Sequence, residues 1–194
     1  MTARTVGLIS EIEVINSVLS VAGDAPIQSL DDTYQPVYII RDIMSNISRD
    51  MQTKGYWFNK ETGVTLSPSA ATNTIVLPFN TLSMEAVDKS YVMRGLTVYD
   101  RTNRTKTITS DITADLVLML EFDELPQIAR EYIRAASRVQ YNNEYYGETN
   151  FKQELMADFQ KAKTALERES LENEQLNIFS AQAITNIAFK NRRR

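Results

Sequence analysis

Carboxylates are the strongest candidates for chemistry in this chain, because it has no histidine and no cysteine. Those absences remove Ser-His-Asp and Cys-His nucleophile systems, His-x-Glu zinc motifs, thiolate metal sites and disulfides. Asp and Glu pairs alone can hydrolyse glycosidic bonds, one carboxyl as acid and the other as nucleophile or base. The candidate pairs are Asp31 with Asp32, Asp123 with Glu124, and Glu144 with Glu148. Such a pair works only if the fold sets its two carboxyls at a fixed separation across a sugar. Each also has an ordinary role: loop solvation, pairing with a helix N-terminal dipole, or surface charge. Asp111 and Asp115 lack the spacing of a calcium loop, and the six glycines stand singly, so no phosphate-cradling loop exists. Tyr56, Trp57, Phe58, Tyr141, Tyr145 and Tyr146 are able to stack on bases or sugars. With few basic residues beside them, a core or interface role is favoured.

The elements that must position these residues are helical, then strand-like, then helical again. Leu8, Ile12, Ile15, Leu19 and Ala22 recur at three- and four-residue steps and predict a helix from about Val6 to Ala22, ended by Gly23 and Asp24-Ala25-Pro26. Val37, Ile40, Met44, Ile47 and Met51 predict a second from Thr33 to Lys54, with Thr33 as cap and Pro36 in the first turn. Between Gly55-Tyr56-Trp57-Phe58-Asn59 and Phe122-Asp123-Glu124-Leu125-Pro126 the rhythm changes. Val64–Leu66, Thr74–Leu77, Tyr91–Met93, Thr97–Tyr99 and Leu116–Leu120 are short β-favouring runs, Arg94-Gly95 reads as a hairpin turn, and Leu82–Val87 fits either a strand or a helical turn. Helical spacing resumes after Pro126 through Leu125, Ala129, Tyr132, Ala136 and Val139. A fourth helix follows Gly147, with Phe151, Leu155, Phe159, Ala162 and Leu166 as its buried stripe.

The expected fold class is therefore α+β: an up-down helical bundle of about four helices (1–59 and 122–176), an inserted small antiparallel β module (60–121), and an extended C-terminal tail (177–194). The 194 residues, 43% apolar, suffice for a packed core. No run is long and apolar enough for a membrane span, and Met1–Gly7 lacks the layout of a secretory signal. Net charge is −4 although Lys190-Asn191-Arg192-Arg193-Arg194 carries four positive charges, so the rest sums to about −8. Such a tail either docks on an acidic partner or stays solvated. Ile178, Phe179, Ile184, Ile187 and Phe189 lie among polar residues there and need a cover, from a neighbouring molecule or from the chain's own bundle.

Four stretches carry a family likeness. They are Val14-Ile15-Asn16-Ser17-Val18-Leu19-Ser20-Val21-Ala22-Gly23 with Asp24-Ala25-Pro26; Lys54-Gly55-Tyr56-Trp57-Phe58-Asn59 leading to Glu61-Thr62-Gly63-Val64-Thr65-Leu66; Tyr91-Val92-Met93-Arg94-Gly95-Leu96-Thr97-Val98-Tyr99-Asp100-Arg101-Thr102; and Phe122-Asp123-Glu124-Leu125-Pro126 through Ala136-Ser137-Arg138 to Tyr141-Asn142-Asn143 and Tyr146-Gly147. In that order, over residues 8–170, the chain resembles the tail tubular protein A family, head–tail adaptors of short-tailed bacteriophages. The last twenty or so residues lie outside the likeness. The resemblance implies a non-enzymatic dodecameric ring in the virion tail, assembled in the host cytoplasm. The ring would sit between the portal and the nozzle (tail tubular protein B), with tail fibres near the nozzle junction. DNA would pass through its lumen without specific binding. No cofactor, metal or membrane is implied. On that frame the portal contact is expected from Ile184, Ile187, Phe189, Lys190, Arg192, Arg193 and Arg194. The nozzle contact is expected from the polar loops holding Ser67, Asp100, Arg101, Thr102, Asn103 and Arg104. A virion-associated glycoside hydrolase using Asp/Glu pairs is the alternative.

Overall fold

The computed structural model describes residues 7–31, 34–147 and 151–191, with side chains described as far as Glu174 except that of Tyr146. The elements run α1 (Glu11–Ala22), α2 (Gln35–Gln52), β1 (Lys60–Leu66), β2 (Thr81–Ala86), β3 (Tyr91–Arg94), β4 (Thr97–Asp100), β5 (Ile112–Leu118), α3 (Gln127–Tyr141) and α4 (Lys152–Asn191). The α+β class read from the sequence holds. The chain divides into two compact units, 1–44 with 126–194, and 45–125, so α2 begins in one and ends in the other.

In the helical unit, α1 starts later than its apolar spacing suggests. Ser10 and Glu13 form a reciprocal capping box, with the Ser10 hydroxyl accepting from the Glu13 amide and the Glu13 carboxylate accepting from the Ser10 amide. That box was legible and outweighs Leu8, which is left exposed. Val14, Ile15, Val18 and Leu19 form the buried face. Asn16 pins the following loop by bonding both the amide and the carbonyl of Ile27, at 2.8 and 3.1 Å. The segment before α1 is held by α3: Gln127 accepts from the Ile9 amide, and the buried Arg130 guanidinium donates to the Ile9 carbonyl. Val37, Ile40, Ile43 and Met44 bury the inner face of α2. Its expected cap, Thr33, lies outside the described residues.

A π turn, Asn142–Tyr146, prolongs α3 and closes on Gly147, whose positive φ only glycine adopts cheaply. α4 packs along α3 through Leu155, Phe159 and Leu166, with Phe159 against Tyr132 and Asp158 near Arg138. Phe151, expected in that stripe, precedes the first helical residue and is exposed. The backbone from 177 to 191 continues α4 instead of forming an extended tail. No proline or glycine follows Gly147 to stop it.

In the β unit, β5 is the central strand of an antiparallel sheet ordered β1-β5-β2, while β3 and β4 form a separate hairpin. Ile112, Ala114 and Leu116 of β5 face a core completed by Leu66, Ile75, Leu77, Ala86, Val98 and Ile108. Thr81–Ala86 is a strand, settling the ambiguity at Leu82–Val87. Thr74–Leu77 is not a full strand: only Val76 bridges to Thr97, because Pro78 ends the run after two ladder bonds. A bulge in β1 falls at Gly63, whose amide donates to the Asp115 carboxylate.

Two buried amides lock the start and end of this unit. Gln52 donates to the Leu120 carbonyl at 3.0 Å and accepts from the Leu120 amide at 2.8 Å. Asn59 donates to the carbonyls of Gln52 and Leu118 and accepts from the Tyr56 amide. Gly55 lies between them with φ +74°, and a Cβ there would stand 2.9 Å from Val117. We expect Asn59→Ala to remove a hydrogen bond from the Tyr56 amide and from the Leu118 and Gln52 carbonyls, the last of which keeps the Gly55 amide, and to cost about 2–4 kcal/mol. Gly55→Ala should cost roughly 1–3 kcal/mol through left-handed strain and overpacking. Denaturant midpoints measure both, and a loss under 0.5 kcal/mol for Asn59→Ala would show that water replaces the amide without penalty.

Candidate functional site

The described members of the carboxylate pairs, Asp31, Asp123, Glu124 and Glu144, are all exposed. Asp31 is exposed on a loop and Asp32 lies outside the described residues. Glu124 is spent on the amide of Glu121 in a capped 3-10 turn, Phe122–Glu124. Glu144 accepts from Gln140 one helical turn back, and Glu148 lies outside the described residues. Asp115 is engaged by the Gly63 amide and Lys60. Among the described residues no three acidic side chains converge as a metal site would require. Tyr56 is buried, and its ring stacks on Phe58, with Trp57 edge-on to both. Trp57 and Phe58 are half-buried, so the three rings pack on one another at the α2 exit with only Tyr56 in the core. Tyr141 stacks on Tyr145 at 5.6 Å, and burial, with Asp24, Tyr34 and Tyr145 nearby, raises its hydroxyl above the ordinary tyrosine range.

The best organised surface feature is the turn that follows β4. Asp100 is buried, and its carboxylate accepts from the amides of Thr102 and Asn103 and from the Asn103 side chain, at 2.8–3.0 Å. These bonds favour the ionised form, with the Asn103 amide the largest cause, and hold its pKa below the usual aspartate value. Arg101 is tied back to the turn before β3, its amide on the Ser90 carbonyl and its guanidinium on the Lys89 carbonyl. Arg104 adopts φ +56°, a left-handed conformation unusual for a long side chain, and the Asp100–Thr105 bridge closes the loop.

Of the six residues expected to contact a nozzle, Asp100 thus organises the turn from within. Arg101, Thr102, Asn103 and Arg104 are exposed around it, with Arg101 bonded to Lys89 and Asn103 to Asp100, and Ser67 is exposed on a different loop. Sequence reasoning missed Arg94 and Lys106. Arg94 lies over the Tyr99 ring at 3.5 Å, and Lys106 is exposed just past the turn. The hairpin register places residues 92, 94, 97 and 99 on one face and so brings Arg94 to Tyr99. Phe79, 89% exposed, was also missed; Asn80 fixes its loop by two bonds with Met119. The expected portal residues Ile184, Ile187, Phe189 and Lys190 fall in the last turns of α4, but their side chains, and all of Arg192, Arg193 and Arg194, lie outside the described residues.

Helices packed on helices in one unit, and an antiparallel sheet with a rigid cationic turn in the other, make this an α+β protein built around ordered surfaces. Residues 12–176 match the family model described as tail tubular protein, and the chain belongs to that family. It is 25% identical over 171 residues to a protein named tail tubular protein A from Klebsiella phage KP34, covering 86% of this chain and 90% of that one.

The depressed Asp100 pKa carries a sign. Its folded-state value lies below the unfolded one, so its stabilisation is full above the ordinary aspartate range, about 3.9, and is lost as pH falls through the folded value. Asp100→Ala should therefore lower the Tm at pH 7, and the gap to wild type should narrow on acidification from about pH 5 to pH 2. A gap independent of pH would mean the carboxylate acts by shape alone.

Proposed function

We propose that this protein is a structural head–tail adaptor of a short-tailed phage virion. Copies form a ring, a dodecamer on the family resemblance, that joins the portal to the nozzle and encloses part of the DNA ejection conduit. The protein has no catalytic role, and tail fibres attach near its nozzle side. The observation that carries this reading is the family match over 165 of the chain's 194 residues, running through both units.

The β module, 60–121, is proposed to face the nozzle. The turn at Arg101–Arg104 supports this, since it presents cations on a backbone fixed by Asp100 and strained at Arg104, and such strain is characteristic of functional loops. The bundle, 1–59 with 122–176, is proposed to carry the portal side. The segment 177–194 supplies Ile184, Ile187 and Phe189 for a groove, and Lys190, Arg192, Arg193 and Arg194 for carboxylates.

Charge reversal at Arg101 and Arg104 should weaken binding to purified nozzle by about tenfold or more at low salt and leave portal binding unchanged. Deletion of 177–194 should abolish portal binding and keep the helical circular dichroism. The opposite pattern, with portal binding lost on charge reversal, would invert the ring. A deletion variant that joins the portal with wild-type affinity would move that contact onto the helices.

A further inference from the structure

The β unit has a second built surface beside the Asp100 turn. β3 and β4 form a hairpin, and Val76 bridges to Thr97 along the other edge of β4. Paired residues share a face and faces alternate along a strand, so Val76, Val92, Arg94, Thr97 and Tyr99 lie on one side. The opposite side packs on the core: Ile75, Leu77 and Val98 are buried in it, and Tyr91 and Met93 pack against it. On the outer side Val76 is 65% exposed and Arg94 is exposed, while Val92, Thr97 and Tyr99 are half-buried.

Arg94 is held in place before any partner arrives. Its guanidinium lies 3.5 Å over the Tyr99 ring, which restrains a side chain that otherwise has many rotamers to lose. Stacking uses the face of the guanidinium and leaves its N–H edge, a fork that fits a carboxylate through two parallel bonds. Among the described residues no acceptor takes those N–H groups. Charge around Arg94 is one-sided. Residues 89–106 hold five cations, Lys89, Arg94, Arg101, Arg104 and Lys106, and a single carboxylate, Asp100, in a chain of net charge −4. Asp100 is buried and bonded to Thr102 and Asn103 within its own turn. Lys89 pairs with Glu85, and among the described residues the other four cations have no ion-pair partner. Such a surface selects an anion. Phosphate and carboxylate both suit the guanidinium, and the apolar neighbours decide between them: Val76 and Val92 gain from cover by a protein and gain nothing from a nucleic-acid backbone. Arg and Tyr are also the side chains on which binding energy concentrates at protein contacts.

We propose that this outer face sets the affinity of the nozzle contact and takes an acidic protein surface, one of whose carboxylates pairs with Arg94 on Tyr99 while apolar side chains cover Val76 and Val92. The face runs directly into the Arg101–Arg104 turn, which follows β4. The turn cations, at the rim, steer the approach, and the stacked pair holds the complex once formed. This inference rests on the nozzle reading above and names the residues that hold that contact.

The test follows the full chain binding to immobilised, purified nozzle protein, with association and dissociation rates read separately at low and high salt. Arg94→Ala should raise the dissociation rate about thirtyfold or more and change the association rate by less than about threefold. Arg94→Lys keeps the charge but not the planar fork, and should still lose about tenfold or more in affinity. Tyr99→Phe keeps a ring under the guanidinium and should stay within about threefold of wild type, while Tyr99→Leu should follow Arg94→Ala. Arg101→Ala with Arg104→Ala should instead slow association, an effect that fades with salt. Thermal melts check folding, and because Arg94 is exposed its two variants carry the test even if Tyr99→Leu does not fold. Wild-type dissociation rates for both Arg94 variants, with binding still weakened by the turn variant, overturn this inference and leave the nozzle reading standing. Capture of a duplex DNA fragment that Arg94→Ala abolishes, with nozzle binding unchanged by that variant, assigns the face to phosphate and overturns it as well. A wild type that does not bind the nozzle at any salt concentration defeats the nozzle reading and this inference with it.

Discussion

The β unit depends on backbone carbonyls and amides that would be orphaned without Gln52 and Asn59. The Tyr56–Asn59 turn and the exit of β5 leave groups that need a side-chain partner. Two primary amides, each donor and acceptor at once, close these groups among three chain segments. Because Gln52 is fully buried, each bond replaces an unmade one at high cost, not a water contact at low cost. The close approach of Gly55 to Val117 follows from the same lock, since the turn must enter against β5 to bring Asn59 within reach. Hydrophobic packing of Ile112, Ala114 and Leu116 then has a fixed register on which to act.

The helical unit is organised differently. Its polar bonds are at its edges: the Ser10–Glu13 box, the Asn16 hold on Ile27, and the Arg130 hold on Ile9. Each fixes a connecting segment or a helix start in place. The β unit reverses this, with its polar bonds buried at its start and end and its cationic turn displayed at the surface.

Much of this was legible in the sequence. Periodicity found all four helices, because buried stripes such as Val37, Ile40 and Met44 report packing directly. The β runs and the Arg94-Gly95 turn were legible for the same reason, and the strand–turn residues at Asp100–Asn103 were recognised as a polar loop. The errors have physical causes. Leu8 continues the α1 pattern but lies upstream of a cap that stops the helix. Phe151 falls in phase with α4 but before its first turn. Thr74–Leu77 has strand composition, yet Pro78 denies it a ladder. The inward role of Asp100 and the pairing of Arg94 with Tyr99 depend on a tight turn and a cross-strand register, which composition does not encode. The amide lock was the least legible element, because Gln and Asn at 52 and 59 look like surface residues until their distant partners at 118 and 120 are known.

That lock is made of neutral groups, and the chain as a whole contains no histidine. The carboxylates with resolved shifts, Glu85, Asp88 and Asp100, move to lower pKa, and the shifted tyrosines, Tyr34 and Tyr141, move higher. Both displacements lead away from the interval between about pH 5 and 8, where histidine ordinarily supplies a protonation switch. Ionic strength likewise leaves an amide-to-carbonyl bond untouched. The amide lock therefore has no titratable group through which pH in that interval would act on it.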